Sequence, residues 1–291
     1  ILLLCLVSLP ACSNDDRNTT AVSDPDFITI GTFNIQWLGD GIDDNFIRSE
    51  TDYERIAEVI KNSGADILAL QEIENSAALA LVAKHLKGYS FKTGTGGGPL
   101  NPSVLYKNDI EVEEIGEYTP LEVAANKTRP GFVIKAKKGN FDFIMMSVHF
   151  KSTSRYDDTP EKKRQSYEWR EKQAIAASQW ADSIIAAGDE DDVIIAGDFN
   201  DTPTRTKNPT LTRIIDNPDL FFLTTDLKSC KYRSWYVIDH LVISDAIMNR
   251  YVKGSERVVD TYAMYQKEYA ERISDHCIVL ATFDVRPPDN D

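Results

Sequence analysis

The sequence predicts an α/β protein in which β-sheets pack on each other and helices cover the outside. Apolar, strand-like runs alternate along the chain with segments of helical periodicity. A hairpin, with its turn at Lys137-Lys138-Gly139-Asn140, lies among strands that helices connect. No internal repeat or linker follows Asp26, which predicts one domain over 27–286 and a polar tail over 287–291.

The individual elements follow from periodicity and from turn residues. Apolar residues from Tyr53 to Ile60 recur at helical spacing and Gly64 is a stop signal, which predicts a helix over 51–62. The glycines and the proline of 93–99 predict an irregular loop. The other predicted elements are strands at 28–33, 67–70, 104–106, 132–136, 141–148, 193–196, 235–243 and 278–283, and helices over 76–86 and 164–187.

The composition is that of an ordinary soluble globular domain. Of the 291 residues, 42% are hydrophobic and 27% are charged, which suffices for a sizeable core. The formal net charge is −14 and the pI is about 4.8. A chain with this balance does not attract polyanions through its overall field, so nucleic-acid binding requires a local positive cleft or a bound divalent metal.

The first residues predict processing rather than folding. Ile1–Leu9 is apolar but too short to span a bilayer, and Leu9-Pro10-Ala11-Cys12 resembles a bacterial lipoprotein box. We therefore expect a signal peptide over 1–11, an acylated Cys12 that binds the membrane, and a flexible tether over 12–26. This predicts an exported lipoprotein of the bacterial cell envelope. The alternative is an ordinary signal peptide with an incidental cysteine.

Two cysteines remain in the predicted domain, Cys230 and Cys277. Export would permit a disulfide between them. Cys277 begins an apolar run, however, so a buried free thiol is an equal alternative.

The functional signal is a series of short polar motifs, most of which end apolar runs. A rigid strand that ends in a polar side chain is how an α/β sheet presents a catalytic cleft. Carboxylates, amides and imidazoles, without a cysteine or serine nucleophile pattern, indicate a hard metal ion and phosphate chemistry. The motifs are Thr32-Phe33-Asn34, Gln71-Glu72-Ile73-Glu74, Ser147-Val148-His149, Gly197-Asp198-Phe199-Asn200, Ile238-Asp239-His240 and Ser274-Asp275-His276.

Two pairs carry most of the acid–base and substrate chemistry. Asp198 and Asn200 are two residues apart, and in extended chain they would share one face of the strand. Asp239 lies in an otherwise apolar strand, where an unpaired acid is costly, and His276 is its natural partner. His240 must point to the other face, so we expect it to be structural.

Five further positions are candidates, and four of them have a structural alternative. Glu72 ends a buried strand and predicts a metal ligand, with Asp275 opposite; a solvated acid is the alternative. Asn34 predicts a contact to metal or phosphate, although an amide at a strand end is often only a turn residue. His149 predicts an imidazolium that binds a phosphate oxygen, against a buried structural histidine. Arg129 predicts a phosphate clamp, against a solvated loop arginine.

Taken in this order, the motifs resemble the endonuclease/exonuclease/phosphatase superfamily, which has the DNase I-like fold. The resemblance runs from about Phe27 to Phe283. It implies a four-layer α/β sandwich with two central mixed β-sheets flanked by helices. It also implies Mg²⁺-dependent hydrolysis of phosphate esters, with Mn²⁺ or Ca²⁺ as alternative ions.

The resemblance also implies a role for each residue. Glu72 would ligate the metal with Asn34 and Asp275 at or beside it, and Asp198 would orient or deprotonate the attacking water. The remaining roles concern the phosphate: Asn200 and Arg129 would bind its oxygens, while His149 and His276, the latter held by Asp239, would stabilise the transition state. The branch that repairs abasic DNA usually has tyrosine at position 149. This chain is therefore more similar to nucleases, sphingomyelinases and inositol-phosphate phosphatases.

The expected function is that of an exported, metal-dependent phosphodiesterase. Nucleic acid is the leading substrate, with Lys151-Ser152 in its favour, and a monomer without a protein partner is expected. Sphingomyelin or an inositol phosphate is the rival substrate, and the acidic net charge favours it. A surface lipoprotein that binds ligand without catalysis is the rival from another class.

Overall fold

The computed structural model describes residues 24–289, and two mixed β-sheets of six strands each form its centre. The strands are β1 Phe27–Leu38, β2 Ile67–Ile73, β3 Tyr89–Thr93, β4 Asn101–Lys107, β5 Glu111–Tyr118, β6 Gly131–Lys138, β7 Phe141–His149, β8 Val193–Asp198, β9 Leu220–Phe222, β10 Asp239–Ser244, β11 Arg257–Val258 and β12 Val279–Asp284. The helices are α1 Glu50–Ser63, α2 Ser76–Ala83, α3 Pro160–Ala187, α4 Thr212–Ile215, α5 Thr261–Met264 and α6 Lys267–Ile273, with short 3₁₀ helices at Thr119–Leu121 and Asp245–Asn249.

The strand order is β11-β12-β1-β2-β4-β3 in the first sheet and β5-β6-β7-β8-β10-β9 in the second. One parallel pair lies inside each sheet, β1 with β2 and β7 with β8, and the other pairs are antiparallel. The hairpin predicted across residues 137–140 is β6–β7.

Three apolar clusters give the molecule four layers. The cluster between the sheets takes residues from both, among them Ile30 and Ile194. A second cluster packs α1 and α2 on the outer face of the first sheet, and a third packs α3 and α4 on the second. Each large apolar side chain buried in this way contributes about 1.5–3 kcal/mol. The predicted four-layer α/β sandwich is confirmed.

The predicted helix over 51–62 is α1, and its ends follow the expected chemistry. Ser49 and Asp52 form a capping box at the start of the helix. Gly64 ends the helix with a φ of 75°, a conformation that glycine adopts at little cost. The helix predicted over 76–86 is shorter, since α2 ends at Ala83.

Strand alternation delivers polar side chains to one end of the space between the sheets. On β8, Ile194 and Ala196 lie in the core between the sheets, and Asp198 is the next residue on that face. On β10, Leu241 and Ile243 lie in the same core, and Asp239 precedes them on that face. The apolar rows of neighbouring strands thus end in acids that meet at one edge.

The β1–β2 pair has an irregular register where it reaches the site. The register shifts between Asn34 and Leu38, and Gln36, Trp37 and Glu72 have positive φ angles of 44°, 53° and 62°. A bulge of this kind re-aims side chains that simple alternation would direct elsewhere. Alternation alone would turn Glu72 away from the core between the sheets, whereas the irregular backbone brings it to the site.

The predicted strand over 235–243 starts later than expected. β10 begins at Asp239, and the residues before it form an exposed turn in which the Trp235 side chain is 65% accessible. A tryptophan and a tyrosine suggested a buried strand because both are common in sheets. Tertiary contacts decide otherwise, and the exposed rings therefore require a different explanation.

Cys230 and Cys277 form a disulfide, with their Cα atoms 6.3 Å apart, within the usual range for such a bond. The alternative of a buried free thiol is thereby excluded. The first residues of the predicted tail are not isolated, since Arg250 donates to the carbonyl oxygens of Pro287 and Pro288. The predicted signal peptide, Cys12 and most of the predicted tether lie outside the described residues. Within 24–289, no helix has the length and apolarity needed to cross a membrane.

Candidate active site

An Asp–His pair lies at the start of β10. His276 Nδ1 donates to the Asp239 carboxylate, 2.8 Å from Oδ2 and 3.0 Å from Oδ1. Burial alone would lower the pKa of His276, but the Asp239 and Asp198 carboxylates raise it well above the ordinary value. The two carboxylates therefore favour the imidazolium, whose Nε2 lies 3.9 Å from Asp198 Oδ2. The predicted pairing of Asp239 with His276 is confirmed.

Asp198 lies at the end of β8 and is almost fully buried. It accepts three hydrogen bonds: from Asn200 N to Oδ1 (2.8 Å), and from Asn200 Nδ2 (2.9 Å) and Asn34 Nδ2 (3.1 Å) to Oδ2. Burial raises the pKa of this carboxyl above its ordinary value, and the charge of His276 opposes the shift. Asp198 is thus held rigidly and is more basic than a surface carboxylate, as a group that accepts a proton from water requires.

Asn200 reaches Asp198 for a reason that strand geometry did not predict. The strand ends at Asp198, and Asn200 has a φ of 51°, so the two residues do not share a face of extended chain. The backbone turns back instead, and Asn200 Nδ2 donates both to Asp198 and to Phe150 O (3.0 Å). Both amide hydrogens are thereby used. The structure gives Asn200 a positioning contact, and its contact with substrate stays a prediction.

Asn34 joins the two sheets through its side chain. Its Nδ2 donates to Glu72 Oε1 (3.0 Å) as well as to Asp198, while its Oδ1 accepts from Gln36 N (2.9 Å). The backbone donor fixes which end of the amide is oxygen. Asn34 therefore positions two carboxylates, and its predicted role as a metal ligand stays a prediction.

Glu72 has the chemistry of a metal ligand. Its side chain is partly exposed, and each oxygen accepts one hydrogen bond, from Asn34 Nδ2 and from Trp37 N (3.0 Å), which leaves lone pairs free. Carboxylate oxygens are the ligands that Mg²⁺ prefers, so this donor fits a hard divalent ion. Asp275 is 40% exposed, with Oδ1 4.0 Å from His276 Nε2. Its position opposite Glu72 on a metal stays a prediction.

Within 24–289, three groups of side chains bring at least three ligand atoms within 4.8 Å of one another. The group that belongs to the site is Asp198–Asp239–His276, and none of the three groups includes Glu72 or Asp275. The groups are Asp198–Asp239–His276, Asp40–Asp44–Glu74 and Glu50–Glu54–His85.

His149 ends β7 and faces both acids of the cleft. Its Nε2 lies 3.7 Å from Asp198 Oδ2 and 3.8 Å from Glu72 Oε1. Burial, together with the charges of Arg129 and His276, lowers the pKa of His149 well below the ordinary value. This shift disfavours the predicted imidazolium, and the contact of His149 with a phosphate oxygen stays a prediction.

Arg129 is half-buried beside the cleft rather than solvated. Its Nε donates to Leu100 O (3.1 Å). Burial lowers the pKa of the guanidinium, and the charges of Glu72 and Asp198 oppose the shift. A cation near both carboxylates is suitably placed to meet a phosphate, and the predicted clamp stays a prediction.

Arg48 is a residue of the site that the sequence did not reveal. It is buried, and burial lowers the pKa of its guanidinium to about 10. Its nitrogens donate to five carbonyl oxygens, those of Ile35, Gln36, Trp37, Arg272 and Ile273. Arg48 thereby connects the irregular end of β1 to the segment that precedes His276. The irregular end of β1 in turn orients Glu72. No local sequence signal distinguishes such an arginine from a surface residue.

A buried polar layer closes the core immediately behind the cleft. Thr32 Oγ1 donates to Gln71 Oε1 (3.1 Å), and Gln71 Nε2 donates to Ser147 Oγ (3.4 Å). His240 is structural, as predicted: it contacts Thr224 Oγ1 (2.8 Å) and Asp201 O (3.1 Å), and burial lowers its pKa to about 4.

A four-layer sandwich with a buried aspartate, an Asp–His pair and a carboxylate suited to a divalent ion at one end defines a hydrolase of phosphate esters. The chain belongs to the Endonuclease/Exonuclease/phosphatase family, whose model matches residues 31–276. Enzymes of this family depend on a divalent metal.

Solved structures share the fold at low sequence identity. A truncated TDP2 from Caenorhabditis elegans is 19% identical with a TM-score of 0.64, covering 90% of this chain and 100% of that one. D. rerio TDP2 complexed with a single-strand DNA product is 17% identical (TM-score 0.63; 89% and 99%). A mannosyl-6-phosphatase from Bacteroides thetaiotaomicron is 16% identical (TM-score 0.58; 87% and 98%). No curated protein matches the sequence significantly.

Proposed function

We propose that this chain is an exported, Mg²⁺-dependent phosphodiesterase that cleaves nucleic acid. One observation carries the proposal: Asp198 lies within 4 Å of both His149 and His276 and is hydrogen-bonded to Asn34, which also holds Glu72. A base, a fixed cation and a ligand for a hard ion thus surround one point, as an in-line attack on phosphorus requires.

Each residue has a task in this mechanism. Asp198 accepts a proton from the attacking water, because burial keeps it basic and three hydrogen bonds fix its orientation. The His276 cation, oriented by Asp239, stabilises negative charge on the phosphorus oxygens. His149 acts on the phosphate as a neutral hydrogen-bond donor and not as a cation. Mg²⁺ held by Glu72, with Asp275 and Asn34 beside it, would neutralise phosphate charge when bound.

Nucleic acid is the substrate that we favour. TDP2 from D. rerio, which shares the fold, has been seen with a single-strand DNA product. The second candidate is a phosphomonoester or a lipid or inositol phosphate, which the shared fold of a mannosyl-6-phosphatase and the net charge of −14 support. A surface lipoprotein without catalysis is the remaining rival, but a cluster of buried, titratable side chains with shifted pKa values is costly to keep without a catalytic purpose.

We further propose export to the cell envelope with a lipid anchor on Cys12. The lipoprotein-box resemblance of 9–12 supports the proposal, and so does the Cys230–Cys277 disulfide, because disulfides persist in oxidising compartments. Cells that express the full chain would be fed an alkyne fatty acid. Labelling that disappears in Cys12→Ser is expected, and equal labelling of the two would contradict the anchor.

The experiment for the activity compares substrates side by side. The purified protein would receive plasmid DNA, RNA, sphingomyelin and inositol phosphates, each with Mg²⁺ and with EDTA. We expect metal-dependent cleavage of nucleic acid and its loss in Asp198→Ala and His276→Ala. Cleavage of only sphingomyelin or inositol phosphate would support the second candidate. Equal rates in wild type and both variants would refute the site.

A further inference from the structure

A solvent-exposed segment of unusual composition lies between β9 and β10. Residues 228–236 contain three basic and three aromatic side chains and no acid, in a chain whose net charge is −14. Lys228 and Tyr236 pair as an antiparallel bridge, and Ser229 N donates to Trp235 O (3.0 Å). We call residues 228–236 the aromatic-basic hairpin. Its charge is opposite to that of the molecule as a whole.

The hairpin exposes flat rings and cations side by side. Trp235 and Tyr232 are 65% and 52% exposed, and their rings stack on each other with centroids 5.0 Å apart. Lys228 Nζ lies 3.0 Å from the centroid of the Tyr236 ring. Exposing large aromatic rings to water is unfavourable, and a stacked pair with adjacent cations is the arrangement that proteins use to bind the bases and phosphates of single strands.

The hairpin is attached to the catalytic pair on both sides. At its C-terminal end the chain continues through Ile238, whose carbonyl accepts from Phe199 N (2.9 Å), directly into Asp239. The Cys230–Cys277 disulfide ties its N-terminal arm to the residue after His276, with a Cα–Cα distance of 6.3 Å. Since adjacent Cα atoms are about 3.8 Å apart, the Cα of Cys230 lies at most about 10 Å from that of His276. The first residues of the hairpin are therefore held next to the segment that carries Asp275 and His276.

Tyr262 supports the same placement independently. Its hydroxyl donates to Ser274 O (3.2 Å), two residues before His276. Lys231 Nζ lies 5.8 Å from the Tyr262 ring and 5.6 Å from the Tyr232 ring. Tyr262 thus connects the hairpin to the segment that carries Asp275 and His276.

We propose that the aromatic-basic hairpin is a substrate platform, on which Trp235 and Tyr232 stack on bases of a single-stranded nucleic acid while Lys231 contacts its backbone. The inference rests on the proposed nuclease function and names the residues that select its substrate. A membrane surface fits less well, because Trp235 is the one inserting side chain of the hairpin and no leucine, isoleucine or phenylalanine accompanies it. Stacking tolerates any base, so the platform selects strandedness rather than sequence.

Binding and catalysis are measured separately to test the platform. Binding of a fluorescein-labelled single-stranded oligonucleotide would be followed by anisotropy in EDTA, where no cleavage occurs. Turnover of the same oligonucleotide and of methyl p-nitrophenyl phosphate, a diester too small to reach the platform, would be followed with Mg²⁺. Phe221→Ala is the matched control, since Phe221 is 37% exposed and pairs with Ile243 at the end of β10 remote from Asp239.

Trp235→Ala should weaken oligonucleotide binding and raise its KM by roughly fivefold to a hundredfold, the loss of one base stack. Trp235→Phe should restore most of the loss, and turnover of the small diester should not change. Lys231→Gln should reduce the slope of log Kd against log salt by about one. Substitution at Trp235 should leave folding intact, because the ring is exposed.

Some outcomes overturn the platform and others only the nuclease assignment. Oligonucleotide affinity of Trp235→Ala within twofold of Phe221→Ala would overturn the platform, whatever the cleavage result. Trp235-dependent binding without any cleavage would retain the platform and overturn the nuclease function. Trp235-dependent binding to phosphatidylcholine–phosphatidylserine vesicles, without binding to oligonucleotide, would assign the hairpin to a lipid surface instead.

Discussion

Asp239→Asn is the substitution that tests the catalytic pair most directly. The change keeps the size of the side chain but replaces the carboxylate that accepts from His276 Nδ1 at 2.8 Å. Burial by itself lowers the pKa of His276, and Asp239 is the main group that raises it. Removing the negative charge therefore lowers that pKa, and the cation that stabilises the transition state is lost at a lower pH.

The size of the effect follows from the bond that is lost. A hydrogen bond between charged groups contributes about 1.5–3 kcal/mol. At about 1.4 kcal/mol for each tenfold change in rate, its removal should lower kcat roughly ten- to 150-fold at neutral pH. The sign of the pH effect is fixed: the imidazolium is the active form, so activity is lost as pH rises through its pKa, and the alkaline limb moves to lower pH in the variant.

The assay is the pH–rate profile of methyl p-nitrophenyl phosphate hydrolysis with Mg²⁺. Asp245→Asn is the control, because Asp245 is an exposed acid just past the other end of β10. A folded Asp239→Asn variant with the kcat and the alkaline limb of the wild type would refute the reasoning. An equal loss in Asp245→Asn would show that the effect is not specific to the pair.

Three further predictions concern the acid, the metal and the disulfide. Because burial raises the pKa of Asp198 and the base must be ionised, activity should fall on acidification well before an ordinary carboxylate protonates. Asp198→Asn should lose at least about a hundredfold in kcat above that pKa, and a retained acidic limb in the variant would contradict the role. Glu72→Gln should raise the Mg²⁺ concentration needed for half-maximal rate and reduce the Mg²⁺-induced rise in Tm, and an unchanged metal titration would remove Glu72 from the metal site. The Cys230→Ser/Cys277→Ser double variant should lose about 4 kcal/mol of unfolding free energy in urea, because the disulfide removes the entropy of a 47-residue loop from the unfolded chain. The reduced wild type should have the same stability as this variant, and equal stability of oxidised and reduced wild type would contradict the prediction.

The sequence predicted those elements in which the apolar periodicity and the start and stop signals agree. The helix from Glu50 to Ser63 has a capping signal, an apolar stripe and a glycine stop, and it lies within one residue of the predicted bounds at both ends. The predicted strand over 235–243 was wrong at its first four residues, because aromatic residues that favour sheets also occur in exposed turns. Local sequence does not show whether an aromatic ring is buried in a sheet or exposed to solvent.

The sequence also predicted residues that the structure brings together at one edge. Asp198, Asp239 and His149 each end or begin an apolar row, and a strand whose alternate residues are buried must place them at the same edge. The Asp239–His276 pair followed from the cost of an unpaired acid in an apolar strand. These are local arguments, and they held because rigid strands preserve them.

Only the tertiary structure decided how these side chains are oriented and charged. The positive φ of Glu72 re-aims it, and Asn34 bridges to Asp198 across 164 residues of chain, which no local pattern encodes. The lowered pKa of His149 likewise depends on its burial near Arg129 and His276. Charge state and register depend on groups that are distant in sequence and close in space. The sequence therefore predicted the residues, and only the tertiary structure determined their contacts and charge.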